Sequence, residues 1–165
     1  MTGRTKQSGR KKDRPRGVQA RNMKVHGRTA KAAGAVKCTE CGVVQHAGKW
    51  YWGAPPLAEL HAGICPACQR VRERYPAGII RLHRRFLERR EEVLRLIRNV
   101  ERAEKPEHPL ERLMAVEESD GQLVVTTTGI HIASQIAHKL ARRFHQKARL
   151  RYAKQEGLIH VDWEA

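Results

Sequence analysis

The spacing of apolar residues predicts a long helix near the middle of the chain. Across residues 84–104, large apolar side chains lie at spacings that place them on one helical face. Glu91 with Arg95, and Glu101 with Lys105, are opposite charges four residues apart and support the same helix. The predicted buried stripe consists of Phe86, Val93, Leu94, Ile97 and Val100.

Beyond this helix the pattern changes to short strands on either side of a second helix. Residues 113–116 and 123–127 have strand character, with a turn between them, and residues 147–152 and 158–163 form a second hairpin around Gly157. The helix between the hairpins begins near Thr128, a good N-cap residue, and has an Ala/Ile stripe. One helix packed across a four-stranded antiparallel sheet would bury the apolar stripe of the helix and the apolar face of the strands. The predicted fold class is therefore α+β with a ββαββ module.

Upstream, four cysteines form two pairs, Cys38 with Cys41 and Cys65 with Cys68, separated by 23 residues. Two Cys-x-x-Cys turns facing each other complete the tetrahedral sulfur shell that Zn²⁺ prefers, and β-prone residues between them predict a zinc ribbon. The rival interpretation is redox chemistry, but a thioredoxin-like dithiol expects one pair in a βαβ context. His46 and His61 are alternative ligands between the pairs. Four thiolates close the shell, so we expect structural zinc and no catalytic metal.

Aromatic residues in the loop of the ribbon have two interpretations. Lys49, Trp50, Tyr51 and Trp52 are consecutive, and aromatics beside a lysine can stack on unpaired bases. Alternatively they form the core of the ribbon, which we expect for at least one tryptophan. On a strand the two tryptophans share one face and Tyr51 points to the other, so Tyr51 is the better stacking candidate.

Positive charge is concentrated at the start of the chain. Residues 1–37 contain twelve Lys or Arg and one acid, a net +11 of the total +16. With almost no large apolar residue, this segment is predicted to be a disordered basic arm. A solubility tail is one interpretation, and an arm lying along RNA phosphates is the functional one. The chain thus divides into an arm (1–37), a zinc ribbon (38–75) and the helix with the ββαββ module (76–165).

The nucleic-acid contacts predicted from these patterns lie in three places. Lys49 and Tyr51 belong to the ribbon loop, and Arg142 and Arg143 lie outside the apolar stripe of the second helix, where a merely solvated face is an equal alternative. The contacts predicted in the arm are Arg4, Lys6, Arg10, Lys11, Lys12, Arg14, Arg16, Arg21, Lys24, Arg28 and Lys31.

Several classes of protein are disfavoured by the sequence. There is no Gly-rich phosphate loop, nucleophile elbow or recognisable pair of catalytic carboxylates, so we expect neither an enzyme nor a small-molecule substrate. No signal peptide and no stretch of the ~18 apolar residues typical of a membrane helix is visible. We therefore expect a cytoplasmic protein without a membrane partner, in a compartment where cysteines bind metals instead of forming disulfides.

The order of these motifs resembles the zinc-binding region of the nuclear-export adaptors of the large ribosomal subunit and of their archaeal relatives. A bacterial family of small zinc-ribbon proteins with the same plan is more similar still. The adaptors have additional cysteines, whereas this chain has four, so nuclear export is not implied. The resemblance covers roughly residues 38–163 and is carried by Cys38-Thr-Glu-Cys41, Cys65-Pro-Ala-Cys68, Arg74-Tyr-Pro-Ala-Gly-Ile-Ile-Arg-Leu82, the Thr126-Thr-Thr128 strand end and the Ala/Ile helix.

The resemblance implies docking on the large ribosomal subunit, with the four cysteines as zinc ligands. Together with the charge, it leads us to expect a zinc-ribbon protein that binds ribosomal RNA, in subunit maturation or in idle, hibernating particles. The alternative is a DNA-binding zinc-ribbon transcriptional regulator, whose helix would present Arg85, Arg89 and Arg95 to a groove. The acidic residues of that helix argue against close approach to DNA.

Overall fold

The computed structural model describes residues 34–56 and 59–163. Their first part is a four-stranded sheet in the order β3-β2-β1-β4, followed by one helix. β1 pairs with β4 in parallel, and the other neighbours are antiparallel. The elements are β1 (Ala35–Cys38), β2 (Val44–His46), β3 (Lys49–Tyr51), β4 (Leu60–Gly63) and α1 (Pro66–Glu73).

The second part is a five-stranded sheet in the order β6-β7-β5-β9-β8. β5 is central and runs parallel to β9, while the remaining pairs are antiparallel. The described part of the chain is therefore α+β with two mixed sheets. Its elements are β5 (Gly78–Leu82), α2 (Arg84–Leu87), α3 (Arg90–Glu104), β6 (Leu113–Ser119), β7 (Gln122–Thr127), α4 (Ile130–Phe144), β8 (Ala148–Ala153) and β9 (Leu158–Trp163).

The core of the second sheet lies on one face, beneath the helices. Along β5, β7 and β9 every second residue is buried, which is the period of a strand with one face covered. The apolar stripe of α4 covers this face, and α3 packs against α4. The fully buried side chains of this core include Ile80, Leu82, Leu123, Val125, Ile132, Ile136, Leu140 and Ile159.

The sheet differs from the predicted four-stranded antiparallel arrangement. The hairpin strands were expected to pair only with one another, but β5 lies between the two hairpins and hydrogen-bonds to both β7 and β9. Ile80 and Leu82 of β5 are fully buried, and a central position is what buries a strand most completely. The apolar pattern of this strand was visible in the sequence, but not its partners.

The predicted single helix over residues 84–104 is divided into α2 and α3. Arg89, between them, has a non-helical backbone with φ −119° and ψ 35°. The break falls in the one gap of the apolar stripe, between Phe86 and Val93. Phe86 packs into the core after this break. The centroid of its ring lies 4.9 Å from that of Trp163 and 5.3 Å from that of Phe144.

The predicted N-cap of α4 was wrong. The helix begins at Ile130 after Gly129, and the Thr128 hydroxyl instead donates to the Leu110 carbonyl and accepts from the Arg112 backbone N–H. Glu111 takes the capping role from another segment, because its carboxylate accepts a hydrogen bond of 2.9 Å from the backbone N–H of Ile132. The connection between α3 and β6 is thereby fixed to the start of α4.

Gly78 allows α4 to lie directly against the sheet. A Cβ atom at this position would lie 2.5 Å from the Cβ of Ala133 and would also clash with the hydroxyl of Thr127. We expect Gly78→Ala to lower the free energy of unfolding by about 1–3 kcal/mol, because both neighbours belong to packed elements that cannot move aside cheaply. Denaturant titration measures the change.

Gly121→Asn is the matched control for this change. Gly121 has φ +70°, and a Cβ atom at this position would meet no other atom within 4 Å, while asparagine tolerates this backbone conformation. We expect a much smaller loss of stability there. Equal losses at the two positions would contradict the close approach of α4 to β5.

Candidate metal centre

The two cysteine pairs are brought together by the parallel pairing of β1 and β4. In this register Cys38, the last residue of β1, lies opposite Gly63, two residues before Cys65. The first pair occupies a tight turn in which the Gly42 N–H donates to the Cys38 carbonyl, and Gly42 itself has φ +79°. Cys65 is the N-cap of α1, so the second pair lies across the first turn of this helix.

The four sulfur atoms form a compact cluster that can hold a metal ion. All of them lie within 4.8 Å of one another, and Cys41 Sγ is 3.7 Å from Cys65 Sγ. A tetrahedral shell with metal–sulfur bonds of ~2.3 Å has edges of about 3.8 Å, so this separation fits joint ligation. All four cysteines are free, and a disulfide would require sulfurs ~2.05 Å apart. The four cysteines predicted as ligands therefore lie close enough together to hold one metal ion.

Backbone N–H groups donate to the sulfur atoms and so stabilise thiolates in the cluster. The Cys65 N–H donates to Cys38 Sγ at 3.3 Å, and the Cys68 N–H donates to Cys65 Sγ at 3.4 Å. Burial disfavours the Cys38 thiolate, but hydrogen bonds from the backbone at Cys65, Cys41 and Glu40 outweigh it and lower the pKa of Cys38 to about 6. Burial raises the pKa values of Cys65 and Cys68, with neighbouring cysteines contributing. A bound cation would offset this cost, and acid would promote its release.

Arg112 is a functional residue that the sequence reasoning missed. Its guanidinium donates to three of the four sulfurs, at 3.2 Å to Cys41, 3.7 Å to Cys65 and 3.5 Å to Cys68. Its Nε donates to the Pro109 carbonyl at 2.7 Å, which fixes the orientation of the planar guanidinium group. Burial alone disfavours its charge, but the adjacent thiolates keep the pKa of Arg112 above its ordinary value. Nothing in the sequence singles out Arg112, because it lies 44 residues beyond Cys68.

Both tryptophans of the ribbon loop pack against the sulfur cluster, as does Leu110. The indole N–H of Trp52 donates to the Lys105 carbonyl at 2.7 Å, and the Arg112 guanidinium lies 5.4 Å from its ring centroid. The core interpretation therefore holds for Trp50 and Trp52. Tyr51, the last residue of β3, is half-buried, and Lys49 is exposed.

The other predicted site residues lie apart from this centre. His46 is half-buried, His61 is exposed, and neither belongs to the sulfur cluster. Arg142 is exposed near the end of α4, whereas Arg143 forms an ion pair with Glu92. The predicted contacts in the arm, from Arg4 to Lys31, lie outside the described residues.

Ligation by all four cysteines has a direct spectroscopic test. We expect X-ray absorption of the purified full chain to show four sulfur neighbours at ~2.3 Å from the metal. Cys65→Ser should lose the metal and destabilise the first sheet, because Cys65 is fully buried beside the other ligands. Thr39→Ala removes an exposed hydroxyl from the turn between Cys38 and Cys41, together with its hydrogen bond to the Gly63 carbonyl, and should retain the metal. A sulfur-free shell or a disulfide in the wild type would rule out the centre.

The role of Arg112 can be separated from that of the ligands. We expect Arg112→Gln to weaken metal affinity roughly 10–100-fold, the usual loss when a hydrogen-bond partner of a ligand is removed. Competition with a chromogenic chelator measures this. Arg84→Gln removes the same charge from an exposed position at the start of α2 and should leave the affinity unchanged. Equal affinities for wild type and Arg112→Gln would show that the guanidinium only packs there.

Comparison with known proteins identified no relative of this chain. No protein-family model matches the chain, and neither a curated protein nor a solved structure matches it.

Proposed function

We propose that the protein is a zinc-ribbon RNA-binding protein that associates with the ribosome. Zinc is the proposed metal because four thiolates in a closed tetrahedral shell are its preferred structural site. A closed shell gives the ion a structural role, and the metal centre then fixes the arrangement of β1–β4 and α1. The proposed binding partner is RNA, and the observation that carries this choice is a cationic groove on the second part of the fold.

This groove lies between α3 and α4. Its polar lining has three basic side chains against two acidic ones, together with two amides that suit phosphate and sugar oxygens. These residues are Arg95, Lys139, Arg143, Glu92, Glu104, Asn99 and Gln135. Arg95 and Lys139 are exposed and make no ion pair with any described residue, so their charges are available. Arg143 also lines the groove, but its charge is already balanced by Glu92.

The distribution of charge supports a polyanionic partner. Residues 1–37 carry +11 of the total +16, so the arm and the groove belong to one strongly basic chain. Such an excess repels itself unless a polyanion neutralises it, and phosphate contacts by Lys and Arg release counterions from nucleic acid. Arg4 to Lys31 of the arm, with Lys49, Tyr51 and Arg142, remain the proposed additional contacts.

The choice of the ribosome rests on the resemblance to ribosomal-subunit adaptors described above. In this proposal the metal centre holds a rigid platform, the groove contacts RNA phosphates, and the arm extends the contact along the same RNA. Because the proposed partner is the ribosome, the proposed location is the cytoplasm. Within the described residues, no helix has the length and apolar character needed to cross a lipid bilayer.

Salt dependence tests the RNA contacts of the groove. Each phosphate contact to single-stranded RNA contributes ~0.7 to the slope of log affinity against log salt. We therefore expect the double variant Arg95→Gln/Lys139→Gln to lower the magnitude of this slope by about 1.4 in filter-binding titrations. The matched control is Arg84→Gln/Arg98→Gln, which removes two exposed charges from α2 and α3 outside the groove.

Two outcomes would contradict the proposal. A flat salt response of the wild type would exclude a phosphate partner, and equal slopes for the two double variants would exclude the groove as the contact. Sedimentation of a lysate through sucrose then tests the ribosome itself. Co-migration with ribosomal particles supports the proposal, whereas co-migration with nucleoid DNA supports the alternative of a DNA-binding regulator.

A further inference from the structure

We infer that the chain has a second metal site, formed by Glu104, His108 and His131, for a divalent transition-metal ion. Glu104 is the last residue of α3, His108 lies in the connection to β6, and His131 lies in the first turn of α4. The site is separate from the four cysteines and uses two imidazoles and one carboxylate.

The three ligand atoms have the spacing that one metal ion requires. Oε2 of Glu104 lies 3.0 Å from Nε2 of His131 and 3.8 Å from Nε2 of His108, and all three atoms lie within 4.8 Å of one another. Metal–nitrogen and metal–oxygen bonds of ~2.1 Å place neighbouring ligand atoms about 3.0–3.4 Å apart, in octahedral or tetrahedral geometry. Only small rotations of the His108 side chain are needed for all three to bind one ion.

The backbone that carries these ligands is fixed by hydrogen bonds. After α3 the chain turns back, with the His108 N–H donating to the Glu104 carbonyl at 2.8 Å and the Glu111 N–H donating to the His108 carbonyl at 2.9 Å. Glu111 then binds the start of α4 through the Ile132 N–H. His108 and His131 therefore keep their relative position without a metal, so little ordering is required on binding.

The donor set defines the class of ion. Imidazole nitrogens favour Zn²⁺, Ni²⁺, Co²⁺ and Cu²⁺, whereas Mg²⁺ and Ca²⁺ prefer sites made of oxygen. The side chain of Glu104 is 19% exposed, and those of His108 and His131 are 50% and 44% exposed. Three protein ligands on a surface leave coordination positions open to water or another small ligand, in contrast to the closed sulfur shell.

Charge at the site favours a cation. Among the described residues, the ion-pair partners of Glu104 are these two histidines. Lys105, the neighbouring residue in sequence, lies over the ring of Trp52 instead. The alternative is a plain hydrogen-bonded cluster in which Glu104 ties α3 to α4 without an ion.

Metal titration of the intact protein distinguishes these interpretations. The full chain, purified without a histidine tag and with its sulfur site filled by zinc, is titrated with NiCl₂ and separately with ZnCl₂ in a calorimeter. We expect one further equivalent to bind. His131→Asn and His108→Asn should each weaken this event by at least about tenfold, because each removes a ligand.

The matched control is His138→Asn, an exposed histidine on α4 outside the cluster. It should leave the second equivalent unchanged, and zinc content and circular dichroism show whether each variant retains its fold and its sulfur-bound ion. No second equivalent in the wild type, or the same weakening in His138→Asn as in His131→Asn, would overturn the inference. Failure of RNA binding would not affect it, because the titration contains no RNA.

Discussion

The contact between Arg112 and the cysteine sulfurs is the interaction on which the arrangement of this protein depends. Four thiolates around a divalent ion carry a net charge of about −2, which is costly to bury without a compensating cation. Arg112 supplies that cation from the second part of the fold, together with donors aimed at three sulfurs. Through the same contact, the segment before β6 becomes part of the metal centre, and the two sheets share one electrostatic interaction.

The connection between α3 and β6 combines several roles in a few residues. Arg112 reaches the sulfurs, Leu110 packs against them, Glu111 caps α4, and His108 lies against His131. Its conformation is therefore determined by the metal centre on one side and by α4 on the other. An ion at Glu104 would add positive charge at the end of the α3–α4 groove, which Glu104 also lines. The proposed RNA contact and the inferred second site would then reinforce each other electrostatically.

A rigid platform suits the proposed mode of binding. Few residues lie in the core of the first sheet, and its buried cluster consists largely of the cysteines themselves with Val43 and Ala67. Small domains with so few core residues commonly depend on a metal for stability, and a metal bound by these cysteines would couple ligand geometry to the fold in this part of the chain. The second sheet has a conventional apolar core and needs no ion. The basic groove is thus built on a self-sufficient unit, whereas the proposed metal would hold the smaller unit in a defined shape.

Sequence alone determined which cysteines form the cluster, the α+β class and the positions of most strands, because turn chemistry and apolar periodicity act between residues only a few positions apart. The same periodicity even contained the gap at Arg89 where the predicted long helix divides. Tertiary structure decided the rest. The place of β5 between the two hairpins, the cap that Glu111 provides, and the approach of Arg112 to Cys41 across 71 residues are contacts between distant segments. No local pattern encodes such contacts, since they depend on how packing and charge bring separate elements together.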